Sequence, residues 1–230
     1  MVIDMLLSDI YKDYNYNIEI TGVSTDSRFV KPGNLFLPLP GSNFNGDEFY
    51  IEAITKGASA IVTNKSINNL SVPVILVDDI ENELKRLIDL IYKKPYNELT
   101  LIGITGTDGK TSTSTLSSYL LNHISNCANI GTNGITYNNE YKDNIFTTPI
   151  KTENYKLLRE LVDNNVNYAC MEISSQGIAN NRIDGILFDY AVFTNLSHEH
   201  LDTHKTMHNY FLTKLKLFKQ LKKQVIMIVN

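Results

Sequence analysis

The chain has 230 residues, 43% of them hydrophobic and 20% charged, with a formal net charge of −4. That balance is globular and excludes a disordered chain, and it gives no electrostatic footing for nucleic acid or an anionic membrane surface. No apolar run approaches the roughly 20 residues of a membrane span. The start MVIDMLLSDI has no basic segment and carries Asp4 and Asp9, unlike a signal peptide. The two cysteines, Cys127 and Cys170, lack metal-ligand spacing, so a reduced, cytoplasmic protein without a disulfide framework is expected.

In chain order, the first part is short and mixed. Strands are expected at 23–27 and 34–39, separated by the turn Lys31-Pro32-Gly33. A helix at 49–56, strands at 60–63 and 72–77 and a helix at 80–92 follow. Pro95 ends that last helix, which puts a domain boundary near 97 and divides the chain into 1–97 and 98–230. Beyond it the order is strand 99–105, helix 110–123, strand 126–131, helix 152–165, strand 168–173, strand 188–195, helix 206–221 and strand 224–230. This alternation predicts an α/β fold with a parallel sheet covered by helices. A core strand of such a sheet normally leads into another unit, so the chain is expected to be a fragment of something longer.

At the first turn of the second domain stand Gly106, Thr107, Asp108, Gly109, Lys110, Thr111 and Ser112. Glycines let backbone N–H groups close around phosphate oxygens, while a helix N-terminus and a lysine add positive charge. Thr111 is placed to ligate Mg²⁺. Ile104 stands where the common G-x-x-x-x-G-K-[ST] pattern has its first glycine. Glu172 ends the strand at 168–173, where ligands of open α/β sheets bind, and a carboxylate there suits Mg²⁺.

Four of the five histidines lie between His198 and His208. His-x-His near Asp202 and His204 invites a zinc site, and the run resembles that of metallo-β-lactamase-type hydrolases with one extra residue before the last His. The alternative is a set of surface histidines capping a helix. At 100° per residue, Lys214 falls among Met207, Tyr210, Phe211, Leu217, Phe218 and Leu221, opposite Lys216, Lys219 and Lys223. Helical position alone favours a lysine whose stem packs on the core and whose ammonium reaches water. A desolvated, neutral amine able to form a carbamate is the other reading.

Together these motifs resemble the Mur ligase family. Gly106–Ser112 resembles its G-T-N-G-K-T-S loop, Met171-Glu172-Ile173-Ser174-Ser175 its M-E-V-S-S, and Phe193–Ser197 with His200-Leu201-Asp202 its F-T-N-L-S-x-D-H-L-D. Tyr210 and Lys214 match a Y-x-x-x-K whose lysine is carbamylated. Thr25–Arg28 and Gly33–Phe36 resemble the D-S-R…G-D-L-F of its uridine-binding module. The resemblance implies a small uridine-binding α/β domain followed by part of a P-loop, parallel-sheet ATPase domain. It implies an ATP- and Mg²⁺-dependent amide ligase of peptidoglycan precursor synthesis, adding an amino acid to UDP-N-acetylmuramoyl-L-alanyl-D-glutamate through an acyl phosphate. Lys110, Glu172, His200 and Lys214 would be catalytic. Thr111 and Glu172 would hold one Mg²⁺, and His200 with carbamylated Lys214 a second. Thr25, Ser27, Ser42, Asn43 and Phe44 map to the uridine end, and Thr147, Thr148, Ser174, Asn180 and Arg182 to the muramoyl-peptide end.

The chain departs from the family pattern at Asp108, Gln176, Glu199, Thr203, Ser42, Asn45 and Phe146, the last replacing an Asn. A divergent ligase with another acceptor and a zinc hydrolase using His198–His204 are the alternative functions. With the rest of the ATPase sheet and the amino-acid-binding domain missing, the chain alone is not expected to turn over.

Overall fold

The computed structural model describes residues 5–39, 47–223 and 228–229, and the chain separates into two compact units, Met1–Lys93 and Lys94–Asn230. The division falls where Lys93 and Lys94 both adopt left-handed backbone (φ 56° and 49°), a conformation that ends a helix. Pro95–Asn97 then form a 3₁₀ turn whose Pro95 and Tyr96 are buried in the second unit, Tyr96 edge-on to Tyr155 at 6.1 Å.

The first unit is a four-stranded parallel sheet of β1 (Gly22–Ser24), β2 (Asn34–Phe36), β3 (Ala60–Thr63) and β4 (Val74–Leu76), in that spatial order. Its helices are α1 (Leu7–Ile10), α2 (Asp47–Thr55) and α3 (Ile80–Tyr92). Strand β3 is buried throughout, the pattern of a strand covered on both faces. Helix α3 starts at Asp79, whose carboxylate accepts from the N–H groups of Glu81 and Asn82. It buries Ile80, Leu84, Leu87, Ile88, Ile91 and Tyr92, one face at helical spacing. The Tyr92 hydroxyl reaches back to accept from Val23 N at 3.2 Å.

The second unit is a seven-stranded sheet in the order β11-β10-β5-β9-β6-β7-β8. Its strands are β5 (Thr100–Thr105), β6 (Cys127–Gly131), β7 (Gly134–Tyr137), β8 (Glu140–Lys142), β9 (Tyr168–Glu172), β10 (Tyr190–Phe193) and β11 (Ile228–Val229). Pairing is parallel from β11 to β6 and antiparallel through β7 and β8. The helices are α4 (Lys110–Leu121), α5 (Lys151–Asp163), α6 (Ser175–Ala179), α7 (Leu201–His204) and α8 (Met207–Leu215). Helix α4 packs across β9, β6 and β5. The connection leaving β5 runs toward β6, while that leaving β9 crosses to β10 on the other side of β5. Diverging connections open a crevice at the carboxyl ends of β5 and β9.

Three expectations are corrected. The second sheet is not wholly parallel, because Gly134, at φ 94°, lets the chain turn back from β6 into β7, and Asn138 and Asn139, at φ 48° and 63°, turn β7 back into β8. The helix expected at 206–221 is α-helical only to Leu215 and continues as a 3₁₀ turn over Lys216–Gln220. The strand expected at 188–195 pairs with its neighbours only over Tyr190–Phe193, Phe188 making an isolated bridge to Leu221. Of the strand at 224–230, Ile228–Val229 pair with β10 and the remainder lies outside the described residues. Among the described residues no helix is long and apolar enough to cross a membrane.

Candidate active site

The loop between β5 and α4 is shaped by two glycines. Gly106 has φ 149°, and a Cβ there would stand 1.9 Å from Thr194 Oγ1; Gly109, at φ 77°, begins α4. Both conditions favour glycine. The loop is braced from the end of β10. Asn195 Oδ1 accepts from Asp108 N at 2.9 Å, and Asn195 Nδ2 and Thr194 Oγ1 donate to Asp108 O at 3.1 and 2.6 Å. Thr107 Oγ1 accepts from Ser197 N at 3.0 Å and lies 3.2 Å from the Tyr210 hydroxyl. The Lys110 ammonium folds over the loop and donates to the carbonyls of Thr107 (2.6 Å) and Gly106 (3.1 Å).

Beside this loop, Glu172 is 1% exposed at the end of β9. Its carboxylate accepts from Thr111 Oγ1 (2.9 Å), Thr132 N (3.1 Å) and Thr132 Oγ1 (3.3 Å). Thr132 in turn meets Thr147 Oγ1 at 3.0 Å. The strand end is tied by Thr148 Oγ1, which donates to Glu172 O (2.9 Å) and accepts from Ser174 N (3.0 Å). Ser174 caps α6 through Gly177 N. A cleft of about 510 Å³ is lined by Thr107–Ser112, Thr132, Glu172, Ser174, Arg182 and His200, among others. The hydroxyl and carboxylate of Thr111 and Glu172, adjacent on its wall, are the oxygen donors that Mg²⁺ takes, so these residues fit that ion.

Lys214 lies beneath the loop. It is 1% exposed, donates to Gly106 O at 2.6 Å and stands 4.4 Å from the Tyr210 ring centroid. Burial, followed by the nearby Lys110 charge, pulls it down to about 7. Tyr210, Lys214 and Leu217 form the buried stripe, so its ammonium does not reach water by the length of its stem. His200 lines the cleft in left-handed backbone (φ 55°) with its ring edge-on to Tyr210 at 5.9 Å. His204 is 7% exposed and lies 5.1 Å from the same ring, its Nε2 without a partner among the described residues. Burial holds it below the ordinary imidazole value. His198 and His208 are exposed. His200 and His204 meet at the Tyr210 ring without the other two, and among the described residues no group of three or more His, Cys, Asp or Glu is placed to hold a metal.

Arg182 lines the cleft with its guanidinium 4.2 Å from the Phe146 ring and donates to Thr148 O at 3.0 Å. Asn180 is exposed at the end of α6 and is not on the cleft wall. Sequence reasoning missed Gly131, Thr132 and the bracing role of Thr194 and Asn195. The signal for the last two was their place in the Phe193–Ser197 motif, which carried no role for them.

The first unit has its own pocket, about 800 Å³, beyond the carboxyl ends of β1, β2 and β3. Thr25 and Ser27 line it with Phe36, Pro38, Leu39, Phe49 and Tyr50. Ser27 Oγ donates to Glu52 at 2.5 Å, and Arg28 grips the Asp26 carboxylate at 2.6 Å. Ser42, Asn43 and Phe44 lie outside the described residues.

Residues 104–230 match the Mur ligase middle domain, and residues 19–91 match a domain described as Mur ligase family, catalytic domain. A UDP-N-acetylmuramoyl-L-alanyl-D-glutamate–2,6-diaminopimelate ligase of Gloeobacter violaceus is 41% identical over 88% of this chain and 42% of its own length. A ligase of the same name from Caldanaerobacter subterraneus is 39% identical over 94% and 45%. A solved ligase of that name superposes with a TM-score of 0.71 at 25% identity, covering 95% of this chain and 46% of that one. A MurF ligase from Thermotoga maritima in complex with ADP shares the fold at a TM-score of 0.58 and 22% identity, over 91% and 45%. The chain thus spans less than half the length of these relatives.

Proposed function

We propose, from the premise that this chain belongs to the Mur ligase family, that it is the acceptor- and ATP-binding part of an amide ligase. That ligase extends UDP-N-acetylmuramoyl-L-alanyl-D-glutamate by one amino acid in peptidoglycan precursor synthesis. The observation that carries this reading is the convergence of Lys110, Thr111 and Glu172 in one cleft after β5 and β9. On this reading 1–97 takes the uridine end in the pocket lined by Thr25 and Ser27, and 98–230 takes ATP and the carboxylate to be activated. The protein would work in the cytoplasm, in keeping with its two unlinked cysteines.

The chemistry is the meeting of two anions, the γ-phosphate and a carboxylate. The loop N–H groups and the start of α4 bind the phosphates. Lys110, released from its own loop carbonyls, offsets their charge. Thr111 and Glu172 would hold Mg²⁺, which supplies further cancellation of charge. His200 and Lys214 would serve a second ion, Lys214 as the carbamate formed when its neutral amine adds CO₂ and gives up a proton, which a value near 7 permits at neutral pH. The zinc-hydrolase alternative is not favoured, since among the described residues no group of three or more His, Cys, Asp or Glu is placed to hold a metal.

A thermal-shift and calorimetric titration with UDP, UDP-N-acetylmuramoyl-L-alanyl-D-glutamate and ATP–Mg²⁺ tests the reading through ligand linkage. Saturable binding of the muramoyl dipeptide, tighter than UDP, is expected. A cooperatively melting chain that ignores both UDP compounds would shift the assignment to a ligase with another acceptor.

A further inference from the structure

The chain has four arginines: Arg28, Arg86, Arg159 and Arg182. The first three hold carboxylates, Asp26, Glu83, and Glu98 with Asp163. Arg182 has no carboxylate within ion-pair distance among the described residues. Its recorded contacts are the Phe146 ring face at 4.2 Å and Thr148 O at 3.0 Å. It is partly buried, and desolvation lowers its affinity for its proton. Partial burial of a cation without an anion is costly, and the guanidinium opens on the cleft that holds Lys110 and Glu172.

The segment carrying Phe146 is itself anchored. Asn144 Nδ2 donates to Gly131 O at 3.1 Å, Thr147 Oγ1 lies 3.0 Å from Thr132 Oγ1, and Thr148 is tied to Glu172 and Ser174. Phe146 therefore stands between fixed points, and its ring gives the guanidinium plane a surface to lie on. One edge of the guanidinium is engaged by Thr148, which leaves further N–H groups of the fork for a ligand.

We propose that Phe146 is a positioning residue: its ring face holds the guanidinium of Arg182, which the resemblance already maps to the muramoyl-peptide end, as a fork turned to the carboxylate to be activated. The inference rests on the acceptor reading given above. A carboxylate is planar and matches two parallel N–H donors, whereas the nucleotide phosphates already have the glycine loop and Lys110.

Calorimetry of the native chain and of Phe146→Leu, Phe146→Tyr and Arg182→Gln tests it, with UDP-N-acetylmuramoyl-L-alanyl-D-glutamate, UDP and ADP–Mg²⁺ as titrants. Phe146→Leu should weaken dipeptide binding by roughly tenfold, the scale of a desolvated cation–π contact. Phe146→Tyr, which keeps the ring face, should restore it. Arg182→Gln should lose at least as much, and UDP and ADP–Mg²⁺ should bind all four chains alike. Unchanged dipeptide affinity in Phe146→Leu, beside normal UDP binding, overturns the inference alone. A loss confined to ADP–Mg²⁺ also overturns it, by assigning the fork to a phosphate. Failure of the native chain to bind either UDP compound refutes the acceptor reading and this inference with it.

Discussion

The Glu172 carboxylate occupies the space in which a side chain on Gly131 would stand: a Cβ there would lie 1.9 Å from Oε1 and 2.5 Å from Cδ. The two residues are adjacent across β6 and β9, where Ile130 pairs with Met171. The absent side chain on one strand makes room for the charged one on the next. Gly131→Ala should therefore displace Glu172 from Thr111 and Thr132. The expected outcome is a fall of about tenfold or more in Mg²⁺-dependent ADP affinity, on the scale of one charged hydrogen bond lost, with UDP affinity unchanged. Calorimetry with and without Mg²⁺ measures it; equal affinities in both chains would refute the steric account.

Asn195 spans the Asp108 peptide, accepting from its N–H and donating to its carbonyl. Asn195→Ala removes both bonds and should lower nucleotide affinity by roughly tenfold. Asn195→Asp keeps only the acceptor and adds a negative charge beside the phosphates, so it should do no better. ADP–Mg²⁺ titration is the measurement, and a loss of melting temperature as large as that of a core truncation would indicate a structural role instead.

Lys214 faces the Tyr210 ring, the Gly106 carbonyl and the charges of Lys110, Glu199 and Asp108. Its folded value of about 7 lies below the unfolded 10.5. Between those pH values the unfolded chain binds the extra proton, so stability rises with pH; below 7 the folded state bears the full cost of a buried ammonium. The melting-temperature advantage of Lys214→Met over the native chain should be largest below pH 7 and shrink steadily toward pH 10. A pH-independent difference would contradict the buried cation.

Cys127 and Cys170 face each other with sulfurs 4.0 Å apart on β6 and β9, both almost wholly buried. A disulfide needs about 2.05 Å. Ellman's reagent should find no reactive thiol in the native chain and two after unfolding in guanidinium. Rapid reaction of either thiol under native conditions would show that the central sheet opens.

The sequence by itself determined the α/β class and the glycine loop at the start of α4, because both are written in local pattern: alternating apolar runs and glycine spacing. Helical periodicity put Lys214 on the apolar stripe, but only packing decided that its ammonium stays buried. Helix α3 shows the same, its capping Asp79 and apolar face both being short-range signals. Tertiary structure decided the rest. The hairpin β7–β8 hides in the polar stretch 134–142, whose pairing is set by a turn and a sheet edge. The 3₁₀ continuation after Leu215 runs into the bridge between Leu221 and Phe188, a contact 33 residues apart in the chain. Gly131 and Thr132 became site residues, and Asn195 gained its bracing role, only when the order β10-β5-β9-β6 brought the ends of four strands together. Phe146, in the sequence a mere departure from a pattern, gained its meaning from the arginine that lies on it, 36 residues further along the chain. Contacts at such separations are fixed by the sheet order, which no local run of residues encodes.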